Sequence, residues 1–162
     1  MCCIIATLPR TVALYYTTDT LNFVMKKNYK EKDFYRYLKD NLKGISLVRI
    51  ENTALLGTPD IFAVNPNNNW FPIELKVIKG NSKPRFSPHQ IAFFYRFPKN
   101  TFIMILKNIN QDLQITTSRH SSKVCEVLLY GGDQIQSLVA RGSKLEPLAI
   151  GLANCLKVFE QV

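Results

Sequence analysis

The stretch "GTPDIFAVNPNNNWFPIELKV", Gly57 to Val77, constrains the fold more than any other part of the chain. It holds two apolar runs, "IFAV" and "WFPIELKV", of the length and side-chain type that make strands. Between them "NPNNN" reads as a turn, so the two runs read as a hairpin. Yet each run carries charge. Asp60 precedes the first, and Glu74 sits inside the second with Lys76 two places on. Side chains alternate across a strand with period two, so Glu74 and Lys76 share a face. From Ile61 to Gln111, Glu74 is the only acid, set among seven cations: Lys76, Lys79, Lys83, Arg85, Arg96, Lys99 and Lys107. An edge-strand ion pair and a Pro-Asp turn are the plain structural readings. A lone acid in so cationic a stretch argues for more.

The rest of the chain supplies a scaffold for such a hairpin. "EKDFYRYLKDNLKG" predicts an amphipathic helix, with Phe34, Tyr37, Leu38 and Leu42 on one face and Gly44 as its stop. "ISLVRIEN" predicts a strand. "SPHQIAFFYRF" predicts a helix capped by Ser87 with Pro88 at its first position. Its residues Phe93, Phe94 and Phe97 are expected in the core, with base stacking as the lesser reading. "TFIMILKN", "DLQITTS" and "KVCEVLLY" predict strands, and "DQIQSLVAR" and "EPLAIGLANCLKVFEQ" predict helices. This order predicts an α/β domain with a mixed central sheet flanked by helices. At 162 residues, 46% of them hydrophobic, the chain suits one domain with a real core. Residues 25–162 are expected to form it, ending in a helical extension that completes the core or supplies an interface. Residues 1–24 are expected to be an appendage.

Two carboxylates brought together on paired strands repel unless a cation lies between them. Hard oxygen ligands favour Mg²⁺, with Mn²⁺ as a substitute. Lys76, pointing into the same pocket, is placed to stabilise a hydroxide nucleophile or charge developing on phosphate. The loop "KGNSKPRFSPHQ" carries Lys79, Lys83 and Arg85 to a helix N-terminus, and both features attract phosphate. Arg49, one strand away, is expected at the same groove. Lys and Arg number 21 against 12 Asp and Glu, a formal charge of +9, which favours a polyanionic partner.

The combination of "GTPD", "ELK" and "SPHQ" resembles the PD-(D/E)xK nuclease superfamily. Within it the chain is most similar to the VRR-NUC and Holliday-junction-resolvase-like branch, which includes small phage nucleases. The matching residues are Gly57, Pro59 and Asp60, then Glu74 and Lys76, then Ser87 and Gln90. The resemblance spans roughly Glu31 to Lys107. It implies a restriction-endonuclease-like core and metal-dependent hydrolysis of DNA. It implies Asp60, Glu74 and the Leu75 carbonyl as metal ligands, with a further acid on the first helix. Glu31 fits that place, where its ordinary role is a favourable acid in a first helical turn. Glu51 is the rival, and Asp33 a third choice. Gln90 is expected to reach the site, a phosphate or only its own capping box with Ser87. His89 is expected to face solvent.

No zinc-finger or recognition-helix pattern points to sequence reading. The expected substrate, in part because the resemblance implies it, is therefore DNA recognised by shape, branched or otherwise structured. A homodimer is expected if the substrate is a four-way junction. The alternatives are a site-preferring homing or restriction-type endonuclease, a non-cleaving DNA-binding module of the same fold, and a basic structural protein. The four cysteines, Cys2, Cys3, Cys125 and Cys155, show neither zinc spacing nor a disulfide framework, so a reducing cytoplasm is expected. The opening "MCCIIATLPRTVALYY" lacks a basic n-region and is interrupted by Pro9 and Arg10. It is too short and broken for a membrane span, and a weak secretory leader stays as the alternative.

Overall fold

The first helix forms where the sequence puts apolar residues a turn apart. A computed structural model describes residues 30–51, 56–109, 124–140 and 145–162. Helix α1, Glu31–Asn41, buries Phe34, Tyr37 and Leu38, with Leu42 joining them just past its end. The Asp33 carboxylate accepts from the Lys30 N–H at 3.2 Å, an acid where the helix dipole favours one. Gly44, at φ +84°, then reverses the chain into strand β1, Ser46–Arg49.

Strands β2, Ile61–Val64, and β3, Trp70–Lys79, form the expected antiparallel hairpin. Its Asn-rich turn does more than reverse the chain. The Asn65 side chain accepts from the N–H groups of Asn67 and Asn69, at 3.0 and 2.9 Å. Its amide donates to the Phe159 carbonyl at 3.1 Å, and this buried side chain thereby anchors the C-terminal helix.

Helix α2, Pro88–Arg96, carries the chain from β3 to strand β4, Phe102–Ile109, which lies parallel to β3. Strand β5, Val124–Gly131, returns antiparallel. A short 3₁₀ turn, Gly132–Gln134, leads into helix α3, Ile135–Val139. Strand β6, Ala149–Ile150, and helix α4, Leu152–Glu160, close the described chain. The result is a six-stranded mixed sheet in the order β1-β2-β3-β4-β5-β6, flanked by four helices. The expected α/β architecture holds.

Each sheet face has its own core. On one, Phe71, Ile73 and Leu75 of β3 pack with Phe34 and Leu38 of α1 and Phe159 of α4. On the other, Ile103 and Ile105 of β4 pack with Phe94 of α2 and with Ile135 and Leu138 of α3. Glu74, paired in register with Ile103, points to this second face.

Some expectations need correction. The segment "EPLAIGLANCLKVFEQ" is not one helix. Ala149 and Ile150 pair with β5, and Gly151 at φ +84° separates them from α4. Helix α4 itself completes the core, with Cys155 and Phe159 fully buried. Of the three aromatics expected inside, Phe94 is buried and Phe93 half-buried, but Phe97 is 46% exposed because α2 ends at Arg96. The expected strand "DLQITTS" and the appendage 1–24 lie outside the described residues. Among those described, Cys155 is a buried free thiol, and no helix is long and apolar enough to cross a membrane.

Candidate active site

Strand β2 accompanies β3 only as far as Ile61 opposite Ile73, whereas β3 runs on beside β4 to Lys79. Beyond Ile73 the β2-facing edge of β3 has lost its partner strand, which leaves a notch in the sheet. Asp60, heading β2, occupies it. Its Oδ2 accepts the Leu75 N–H at 2.9 Å and so replaces one missing ladder bond. In an extended strand a residue's N–H and C=O point to the same edge, so the Leu75 carbonyl faces the notch as well.

Glu74 is fully buried beside this gap. Its Oε1 receives the Lys76 Nζ at 2.6 Å and the Gln90 side-chain amide. Its Oε2 is buried and has no hydrogen-bond partner among the described residues. Burial pushes its pKa up to about 7, and the charge of Asp60 adds to the rise against the pull of Lys76. Glu31 reaches the notch from α1, on the opposite face of the sheet. Its Oε1 stands 3.8 Å from the Lys76 Nζ. Burial raises the Glu31 pKa too, opposed chiefly by Lys76.

Helix α2 fixes Gln90 through its own start. Ser87 Oγ accepts from the Gln90 N–H at 3.2 Å, and the Ser87 N–H donates to Gln90 Oε1 at 3.0 Å. This capping box holds the amide so that its NH₂ group meets Glu74. The expected capping and site roles of Gln90 coexist. Gly57 explains the position of the helix. It has φ +86°, and a Cβ there would lie 2.5 Å from the His89 carbonyl oxygen. Only glycine lets the Gly57 backbone close on the first turn of α2.

The notch thus assembles Asp60, Glu74, Leu75, Lys76 and Gln90, with Glu31 at its rim. Glu51 lies elsewhere, 77% exposed and 3.8 Å from Arg49. Asp33 caps α1. The cations expected on substrate divide. Lys79 and Arg85 are exposed. Lys83 donates to the Ala140 carbonyl and ties the loop to the end of α3. The Arg49 guanidinium lies 5.8 Å from the Tyr35 ring centroid, and its charge reaches Glu31. His89 is exposed, as expected. Sequence reasoning missed Phe86, whose ring centroid is 5.5 Å from the Lys76 Nζ. An aromatic inside a basic loop was the available signal.

The donor set suits a hard divalent cation. Glu74 offers a buried oxygen without a partner, and Asp60 offers a carboxylate on the same notch. Among the described residues no three His, Cys, Asp or Glu side chains cluster as a metal site. A bound cation there would take two carboxylates and the Leu75 carbonyl, with water and Glu31 completing its shell.

No family model, no curated protein and no solved structure matches this chain.

Proposed function

We propose that the chain is a metal-dependent endodeoxyribonuclease of PD-(D/E)xK type, built on a restriction-endonuclease-like core. One observation carries this reading. A notch in the sheet collects Asp60, a buried Glu74 with one unpartnered oxygen, and Lys76 on the same strand face. A structural ion pair has no use for the second acid or the orphaned oxygen.

Asp60, Glu74 and the Leu75 carbonyl would hold Mg²⁺ or Mn²⁺, with Glu31 helping directly or through water. The bound cation supplies Lewis acidity toward a phosphoryl oxygen and lowers the pKa of water. Lys76 orients the attacking water and offsets negative charge on the phosphate as the P–O bond breaks. Gln90 holds the Glu74 carboxylate in place. Lys79, Arg85 and the N-terminus of α2 bind flanking phosphates, and Arg49 lies on the α1 side of the same notch. The substrate is structured or branched DNA, read by shape, and a four-way junction would call for a symmetric dimer. The protein works in the cytoplasm.

The test is cleavage of labelled four-way junctions, flaps, single strands and linear duplex with Mg²⁺, Mn²⁺ or EDTA. The expected result is metal-dependent cutting that Lys76→Ala abolishes. Cutting by Lys76→Ala at the wild-type rate would remove the assignment. Binding without cutting on every substrate would leave a DNA-binding module.

A further inference from the structure

Lys76 is the counter-ion of the acids in the notch. Its ammonium lies 2.6 Å from Glu74 Oε1 and 3.8 Å from Glu31 Oε1. A divalent cation on the unpartnered Glu74 Oε2 would share that carboxylate with the ammonium and repel it. The Lys76 side chain is only 13% exposed, so little water is at hand to replace the partner it would lose. Among the described residues one further group faces the ammonium. The Phe86 ring has its centroid 5.5 Å from the Lys76 Nζ. That is near the outer limit of about 6 Å for a cation–π contact, so the ammonium gains by moving in.

Phe86 has a plainer task as well. It precedes the cap Ser87, and both it and Ile91 pack against the second core, as in a hydrophobic staple at a helix start. A staple asks only for an apolar side chain. A ring toward a poorly hydrated ammonium is a separate feature, and its attraction is greatest where water is scarce.

We infer that Phe86 is a positioning residue for Lys76: its ring takes up the ammonium when a divalent cation claims Glu74. Lys76 then stays beside the notch with its charge intact, close enough to act on water or phosphate. This rests on the proposed nuclease reading and deepens it. The ring favours the cation-bound state of the site, because it supplies there the partner that Glu74 has withdrawn.

The experiment needs no cleavage. The ε-CH₂ signals of ¹³C-labelled lysine are followed by NMR as Mg²⁺ is added, with Lys76 assigned by its loss in Lys76→Met. Mg²⁺ affinity is measured by calorimetry on the same proteins. In wild type the Lys76 signals should lie upfield of other lysines, shifted by the ring, and should move further upfield with Mg²⁺. Phe86→Leu, which keeps the staple, should abolish both shifts and weaken Mg²⁺ binding about tenfold. Phe86→Trp should restore all three. In a Lys76→Met background, Phe86→Leu should change Mg²⁺ affinity less than about twofold, whereas a merely structural loss would persist. Ordinary Lys76 shifts in wild type, shifts that relax as Mg²⁺ binds, or equal affinity losses with and without Lys76 would overturn the assignment. Wild type that binds no Mg²⁺ would overturn both readings. A Phe86-dependent shift that grows with Mg²⁺, in a wild type that cuts no DNA, sinks the nuclease and keeps the positioning. Metal-dependent cutting by a wild type whose Lys76 is indifferent to Phe86 does the reverse.

Discussion

Helices α1 and α2 both send a side chain to the notch, and they are attached to it very differently. Helix α2 is fixed by backbone. Gly57 closes on His89, the capping box sets the Gln90 amide, and Gln90 bonds Glu74 directly. Helix α1 packs firmly below, but its site residue is loose. Glu31 makes a 3.8 Å contact to Lys76 and is 47% exposed. A group preorganised by its surroundings contributes more to a transition state than one that must be gathered in. On the proposed reading, Gln90 belongs to the fixed machinery, whereas Glu31 is an adjustable outer ligand. Substitutions should rank accordingly.

The largest effect is expected at Glu74, which α2 contacts directly and α1 reaches only through Lys76. Glu74→Gln keeps the shape and removes the charge that would hold the proposed cation. Cleavage should fall by roughly a thousandfold, the scale of a lost preorganised electrostatic contact. Stability should move the other way. Because the folded-state pKa of Glu74 is raised to about 7, the native protein keeps a proton that the unfolded chain has already released. Its contribution to stability is thus present in full below about pH 4.5 and is lost as pH rises toward 7. Above pH 7, Glu74→Gln should be the more stable protein, by up to roughly 3 kcal/mol, and the gap should close in acid. Urea melts at pH 8 and pH 5 measure this. Mg²⁺ should raise the Tm of wild type but not of Glu74→Gln, and less so below pH 7, where the carboxylate binds its proton. A Glu74→Gln protein less stable than wild type at pH 8 would mean that the Lys76 ion pair outweighs the burial of charge.

Next comes the attachment of α2. Gly57→Ala combines a backbone strained at φ +86° with a Cβ driven against the His89 backbone. The first turn of α2 must move, and Gln90 with it. The expected cost is about 1–3 kcal/mol in stability. Cleavage should drop on the order of tenfold to a hundredfold, as for a small misplacement of a catalytic group. Gly80→Ala is the matched control. Gly80 also has positive φ, +54°, but a Cβ there meets nothing within 4 Å. It should cost about 1 kcal/mol and leave cleavage unchanged. Equal losses of activity in the two variants would show that Gly57 only relieves strain and does not set the position of Gln90.

The hairpin, its two acids and the capped helix were legible because each rests on local chemistry. Period-two alternation put Glu74 and Lys76 on one face, and "SPHQ" carries its own cap. What was not legible depends on where strands stop. The notch exists because β2 ends at Ile61 while β3 continues, and only that mismatch lets Asp60 reach the Leu75 N–H. The same limit hid the exposure of Phe97. Its helical phase with Phe93 and Phe94 says core, but the helix ends one residue earlier, at Arg96. The long C-terminal apolar run likewise conceals a two-residue strand, since Ala149 and Ile150 acquire that form only by pairing with Leu128 and Leu129. Asn65 looked like simple turn chemistry because its bond to Phe159 spans most of the chain.

The smallest effect is expected at Glu31, and it tests the comparison most finely. Glu31→Gln removes a half-exposed charge whose contact with the site is the one to Lys76. At saturating Mg²⁺, kcat should fall less than about tenfold, below the usual range for a positioned catalytic group. The loss should appear instead as weaker Mg²⁺ affinity, read from the Mg²⁺ dependence of the rate. Glu51→Gln should alter neither quantity, since Glu51 faces solvent beside Arg49. If Glu31→Gln matched Glu74→Gln in kcat at saturating metal, Glu31 would be a fixed ligand and α1 would hold the site as tightly as α2. The 3.8 Å contact would then describe the site before the cation draws Glu31 inward.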